Sequence, residues 1–169
     1  MDIEYFIVIN FLIYFITLLW YFVGLIKIKP SKNNPIYDIN IGVSIIVCVK
    51  DGESSLPNIL QDLQLQKYLG NHEFIIVDDN SSDKTKKIIQ DFSSKDKRFK
   101  YAHSSFGSKK LKYKKRALDA GIKSSEYDIL LFTDIDCRVS KDWASSMINN
   151  FNNNIDYVIG YSQVLQGKK

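Results

Sequence analysis

From Tyr5 to Ile26 no residue carries a charge, and most positions are Phe, Ile, Leu, Val, Tyr or Trp. As a helix rising about 1.5 Å per residue, this run is about 33 Å long, enough to cross a hydrocarbon core of about 30 Å. Inside lipid the backbone must satisfy its own hydrogen bonds, so the pattern predicts one helix. Lys29-Pro30-Ser31-Lys32-Asn33-Asn34-Pro35 is polar, twice interrupted by proline, and predicts a linker. The expected organisation is an anchor over 1–28, a linker over 29–42 and a domain over 43–169.

Beyond the linker, short apolar runs alternate with helical periods. Val43-Ser44-Ile45-Ile46-Val47-Cys48-Val49 is rich in β-branched residues and predicts a strand buried on both faces. Leu56, Ile59, Leu60, Leu63 and Leu65 predict a helix from Leu56 to Tyr68, ending near Gly70. Phe74–Val77 reads as a second buried strand. Ser82 or Asp83 is a candidate cap for a helix through Ile88, Ile89 and Phe92. Phe99–Ala102 predicts a short strand, Lys114–Lys123 a helix ending near Ser124-Ser125, and Ile129–Phe132 another buried strand. Ser140 is expected to cap a helix carrying Trp143, Met147 and Phe151; the asparagines 149–150 and 152–154 read as its polar end and a turn. Tyr157–Ile159 predicts a last strand. Strands alternating with helices imply parallel pairing, hence an α/β, Rossmann-like sheet with helices on both faces.

Charge adds a direction to this picture. All 23 Lys and Arg follow position 26, together with 17 of the 19 acids, which leaves that part of the chain at +6. Basic flanks dominate membrane orientation, and Lys27, Lys29 and Lys32 lie after the apolar run, so that side is expected to be cytoplasmic. A cleavable leader would start basic and end in small residues, whereas this run follows Asp2 and Glu4 and ends in Gly24-Leu25-Ile26-Lys27. An uncleaved single-pass anchor is the better reading. Cys48 and Cys137 stand alone, as do His72 and His103, so neither a disulfide framework nor a zinc site is indicated.

In parallel α/β sheets ligands bind beyond the carboxyl ends of the strands, where strand order reverses. That rule selects Lys50-Asp51-Gly52-Glu53, Asp78-Asp79-Asn80-Ser81-Ser82-Asp83 and Asp134-Ile135-Asp136. Two acids bracketing one residue suit a hard divalent ion such as Mg²⁺ or Mn²⁺, which one or two carboxylates and substrate phosphates commonly share. Alone the pattern is weak, and its plainer reading is a solvated strand-end turn with Asp136 or Ser140 capping the next helix. Asp78-Asp79 offers acceptors to a ribose or base, or an Asx-turn with Asn80 and Ser81. A dinucleotide oxidoreductase would need Gly-x-Gly-x-x-Gly here, and Lys50–Pro57 holds only Gly52. The basic cluster Lys109, Lys110, Lys112, Lys114, Lys115 and Arg116 fits a diphosphate, an anionic leaflet or a solvated loop. Nucleic acid is a poor fit beside an apolar anchor and an acidic crevice.

The segments Ser44-Ile-Ile-Val-Cys-Val-Lys-Asp-Gly-Glu, Phe74-Ile-Ile-Val-Asp-Asp-Asn-Ser-Ser-Asp-Lys-Thr, Lys114-Lys-Arg-Ala-Leu-Asp-Ala-Gly-Ile and Tyr127-Asp-Ile-Leu-Leu-Phe-Thr-Asp-Ile-Asp-Cys closely resemble family 2 glycosyltransferases of the GT-A fold. Order and spacing both match, over about residues 43–165. The resemblance implies an inverting transferase that moves a sugar from a nucleotide-diphospho-sugar donor, held through Mg²⁺ or Mn²⁺, to a glycan or lipid hydroxyl. It implies that Asp79 binds the base and that Cys48 and Lys50 touch the nucleoside. Lys114 would lie near the donor, and Asp134 and Asp136 would hold metal and diphosphate, with Asp136 the more direct ligand. Asp51-Gly52-Glu53 departs from the family's frequent Asn-Glu-Glu, and Tyr113 stands where a glycine commonly precedes the lysine. The family's catalytic base, an Asp or Glu, is expected beyond Lys169, so the chain alone is expected to bind a donor without turning it over. The alternative left open is a non-catalytic membrane protein with at most weak nucleotide-sugar binding.

Overall fold

A computed structural model of the protein describes residues 3–27, 41–151 and 155–162. Two units divide between Asn33 and Asn34. The first is one helix, α1 (Ile3–Lys27), and its side chains from Ile3 to Ile26 are exposed. It is long and apolar enough to cross a membrane. Its polar side chains turn back on the helix itself: Asn10 Nδ2 donates to the Phe6 carbonyl and Thr17 Oγ1 to that of Ile13, both at 2.8 Å. Each of these two side chains thus satisfies one of its donors on the helix's own backbone. The expected linker lies almost wholly outside the described residues.

The second unit alternates strand and helix: β1 (Val43–Val49), α2 (Leu56–Gln64), β2 (His72–Asp78), α3 (Thr85–Lys95), β3 (Phe99–His103), α4 (Lys114–Lys123), β4 (Ile129–Asp134) and α5 (Trp143–Ile148). All pairings are parallel and the strand order is β3-β2-β1-β4. The chain thus builds outward from β1 through β2 to β3, then returns to set β4 on the other side of β1. The reversal between β1 and β4 opens a crevice at their carboxyl ends.

Burial on both faces explains the continuous apolar strands. Val43, Ile45, Val47 and Val49 pack with Leu56, Ile59, Leu60 and Leu63 of α2, Ile89 of α3, and Ala144 and Ile148 of α5. On the other face Ile46, Ile75 and Val77 meet Ala117 and Ala120 of α4. A Cβ on Gly121 would sit 2.5 Å from Ile46 Cγ2, closer than real contacts allow. The absent side chain therefore lets α4 lie close on the sheet, and this fixes where Lys114, its first residue, points.

Several expectations shift. α2 stops at Gln64 instead of continuing to Tyr68, because the next groups bond outward: Gln66 Nε2 donates to the Ser140 carbonyl at 2.7 Å and Lys67 N to that of Lys141 at 2.8 Å. β4 is not buried along its length; only Leu131 is, and Phe132 is 47% exposed, since β4 is an edge strand among the described residues. Tyr157–Ile159 forms no strand: a strand needs a ladder to satisfy its backbone, and none is offered there among the described residues. Ser140 does not cap α5, which Asp142 precedes without a side-chain cap bond. Nor does Ser82 cap α3; Asp83 comes nearest, its Oδ1 accepting from Thr85 N at 2.9 Å. The turn at asparagines 152–154 lies outside the described residues.

Candidate donor-binding site

The loops that follow β1 and β2 are clasped together. Val49 O accepts from Asp79 N at 2.8 Å. Asp51, with φ 48, donates its N–H to Ser81 Oγ at 2.9 Å and accepts from Ser82 N through Oδ1 at 2.7 Å. Gly52 N donates to Thr85 Oγ1 and Glu53 N to Asp83 Oδ2, each at 2.9 Å, while Lys84 Nζ lies 3.2 Å from Glu53 Oε1. Asp51-Gly52-Glu53, which departs from the resembled pattern, is thus engaged with the neighbouring loop. Asp83 is held below the usual carboxylate range by hydrogen bonding from Thr85, a bond from Glu53 N adding to it.

The two readings of Asp78-Asp79 separate onto the two residues. Asp78 is buried; its Oδ1 accepts from Ser81 N at 2.9 Å, which makes the Asx-turn, and its Oδ2 accepts from Tyr101 Oη at 3.3 Å. Asn80 follows with φ 62, a conformation asparagine tolerates well. Asp79 is half-buried, and among the described residues its carboxylate accepts no hydrogen bond.

Cys48 pairs in register with Asp134 across β1 and β4. Burial pushes its thiol up to about 11, Lys114 opposing and Asp79 and Asp134 reinforcing the shift. At neutral pH it is an uncharged thiol, with neither the nucleophilicity nor the metal affinity of a thiolate. Lys114 Nζ pairs with Asp134 Oδ1 at 2.5 Å. That bond, reinforced by the charges of Asp134 and nearby Asp136, holds the ammonium above the ordinary lysine range. Asp136 is exposed, touched by Cys137 Sγ at 3.9 Å. The structure therefore gathers Cys48, Asp79, Lys114, Asp134 and Asp136. Lys50 follows β1 directly and is exposed, without an ion pair to the others among the described residues. Of the remaining basic cluster, Arg116 is turned away, donating to the Gly107 and Ser105 carbonyls at 3.3 and 3.2 Å.

Two residues that sequence reasoning did not single out hold the acidic turn in place. Arg138, two residues past Asp136, forms a two-pronged pair with Asp62 on α2, Nε–Oδ2 at 2.6 Å and NH2–Oδ1 at 2.8 Å. Val139 N adds a bond to Asp62 at 3.2 Å. The Arg138 hydrogen bond, offset in part by burial, keeps the Asp62 carboxyl below its usual range. The partners are 76 positions apart, and neither carries a local signal, so periodicity could not have joined them.

As a metal set, Asp134 and Asp136 offer hard carboxylate oxygens and nothing softer. Among the described residues no group of three His, Cys, Asp or Glu gathers. That donor set does not suit zinc, and it fits Mg²⁺ or Mn²⁺ completed by phosphate oxygens and water.

The parallel, Rossmann-like α/β sheet is that of the GT-A fold. Residues 44–167 match the model of glycosyl transferase family 2. The chain belongs to that family of nucleotide-sugar transferases. It is 31% identical over 114 residues to a poly-beta-1,6-N-acetyl-D-glucosamine synthase of Staphylococcus epidermidis, covering 67% of this chain and 26% of the relative. The equivalent synthase of Staphylococcus aureus is 29% identical over 155 residues, 84% of this chain and 36% of its own length. The chain thus spans about a third of these curated relatives' length. Among solved structures, a Pyrobaculum calidifontis mannosyltransferase in complex with GDP-Man and Mn²⁺ superposes with a TM-score of 0.62 at 20% identity, over 78% of this chain and 39% of that one. S. aureus TarS in complex with UDP gives 0.50 at 25% identity, over 62% and 30%.

Proposed function

We propose that the protein is a membrane-anchored, inverting glycosyltransferase that holds a nucleotide-diphospho-sugar through a divalent metal. One observation carries the reading: Asp79, Lys114 and Asp134 converge around Cys48 at the carboxyl ends of β1, β2 and β4, with Asp136 near enough to act on Lys114. Asp79, its carboxylate uncommitted among the described residues, is the acceptor for the base N–H groups. Cys48 and Lys50 border the nucleoside. Asp134 and Asp136 are the residues that would hold Mg²⁺ or Mn²⁺, and Lys114 donates to the diphosphate. The relatives bound to UDP and to GDP-Man with Mn²⁺ support this donor class. A bound divalent ion would supply charge neutralisation to the departing diphosphate. An acceptor hydroxyl attacks the anomeric carbon as its bond to the diphosphate oxygen breaks, a base takes the hydroxyl proton, and the configuration inverts. No described residue is assigned as that base, and the acceptor is a glycan or lipid.

Calorimetry with UDP and GDP, each with and without Mn²⁺, tests the donor site. Binding is expected to depend on Mn²⁺, and Asp79→Ala is expected to weaken the preferred nucleotide by about tenfold, the scale of a lost hydrogen bond to a desolvated partner. Metal-independent binding that Asp79→Ala leaves untouched would refute the assignment.

The anchor proposal is that residues 5–26 span the bilayer with Lys27 onward in the cytoplasm. The uncharged run and the lysines that follow it support this. In a cell expressing the protein, carbonate washing is expected to leave it in the membrane, and protease added to the cytosolic face to digest the domain. Release by carbonate, or protection of the domain, would count against it.

A further inference from the structure

Lys114 opens α4, a helix whose first turn holds Lys114, Lys115 and Arg116 and no acid. Cations are disfavoured there, because the unpaired N–H groups and the dipole of a helix start attract anions. The preceding residue, Tyr113, has φ 53 and ψ −146, backbone space that glycine occupies freely and a side chain does not. Tyr113 is 82% exposed, so side-chain packing does not account for the conformation. Two adjacent residues break local rules, and such breaches concentrate at functional sites. At this same junction the Lys114 ammonium meets the Asp134 carboxylate.

Resting on the donor-site reading above, we infer that Lys114 is the resident counter-cation of the Asp134–Asp136 turn, so that a divalent metal is admitted only together with a nucleotide diphosphate. A metal arriving alone meets a carboxylate already paired and an ammonium that repels it, while Asp136, among the described residues, has only a distant thiol beside it. A diphosphate changes both conditions. Its oxygens accept from Lys114, the ammonium moves from Asp134 to phosphate, and Asp134 is released to the metal. Each charge keeps an opposite neighbour throughout the exchange. Because such coupling is reciprocal, the metal tightens diphosphate binding by the same factor.

The test follows Mn²⁺ binding by loss of the free-ion paramagnetic resonance signal, on the full chain in detergent, with and without UDP. Without UDP, Lys114→Met is expected to bind Mn²⁺ about tenfold more tightly than the wild type, within the roughly 5–150-fold range of allosteric coupling. The wild type is expected to need UDP for comparable retention, and Lys114→Arg, which keeps the charge, to behave like the wild type. The Lys114 side chain is 59% exposed, so its removal opens no core; Lys114→Gln repeats the comparison with a polar side chain. Equal nucleotide-free Mn²⁺ affinity in the wild type and both neutral variants, with UDP-dependent binding in the wild type, would overturn the inference and leave the donor site standing. No Mn²⁺ uptake by the wild type with UDP present would overturn both.

Discussion

Asp136→Asn is expected to remove the Mn²⁺ dependence of UDP binding and to lower affinity for UDP with Mn²⁺ by about 10–100-fold, the scale on which even groups behind metal ligands act. The substitution keeps shape and one acceptor oxygen but loses the charge that a hard cation requires. Asp136 is exposed and among the described residues its partner is a thiol at 3.9 Å, so no structural bond there is lost with the charge. Asp134, by contrast, is committed to Lys114 in the ligand-free protein. The turn is anchored by Arg138 on Asp62 rather than by Asp136, so the variant's Tm is expected to match the wild type. Calorimetric titration of UDP at fixed Mn²⁺ measures the effect. Unchanged affinity at an unchanged Tm would remove Asp136 from the site.

The other large effect falls on stability, at the opposite end of the sheet. Glu73 is 3% exposed; its Oε1 accepts from Ser44 Oγ at 2.5 Å and from Glu126 N at 2.7 Å, and its Oε2 faces Lys100 Nζ at 2.7 Å. Lys100 also pairs with Glu126, and Ser44 Oγ accepts from Tyr127 N at 3.2 Å. The network ties β1, β2 and β3 to the segment that enters β4. Glu73→Ala is expected to destabilise the domain by about 3 kcal/mol at pH 7, the low end for breaking a buried pair, because Lys100 is 37% exposed and keeps Glu126. Burial alone would raise the Glu73 carboxyl, but the bonds from Glu126 N, Lys100 and Ser44 outweigh it and hold the group below the ordinary glutamate value. A carboxyl lowered by folding stabilises above its unfolded pKa and loses that contribution as pH falls toward its folded one. The gap between wild type and Glu73→Ala is therefore expected to narrow as pH drops below about 4.5. Urea unfolding of the domain, followed through Trp143 fluorescence with Trp20 in α1 replaced by Phe, measures both. A gap under about 1 kcal/mol at pH 7, or one that widens in acid, would contradict the argument.

Much of this protein was legible in one dimension. β1 and α4 have the bounds that apolar periodicity assigned to them, because a strand buried on both faces leaves an unbroken run, and a helix on one face leaves a repeat. The all-parallel order and the acids at strand ends followed from alternation alone. Ends of elements were another matter. α2 is four residues shorter than its apolar repeat suggests because Gln66 and Lys67 bond to residues more than 70 positions away. β4 is exposed at Phe132 because its neighbourhood, not its composition, decides what covers it.

At the site, local sequence named the acids but did not separate their roles. Asp78 and Asp79 are chemically identical, and the parallel ladder decides that Asp78 turns inward to Ser81 and Tyr101 while Asp79 stays at the crevice. Likewise Lys114 is one of six neighbouring cations until α4 settles on Ile46 through Gly121 and sets that ammonium alone against Asp134. Residue type and spacing therefore determined the family, the fold and the candidate chemistry. Which carboxylate is free, which is paired and which lysine reaches it depends on distances between segments far apart in the chain, and only packing sets those.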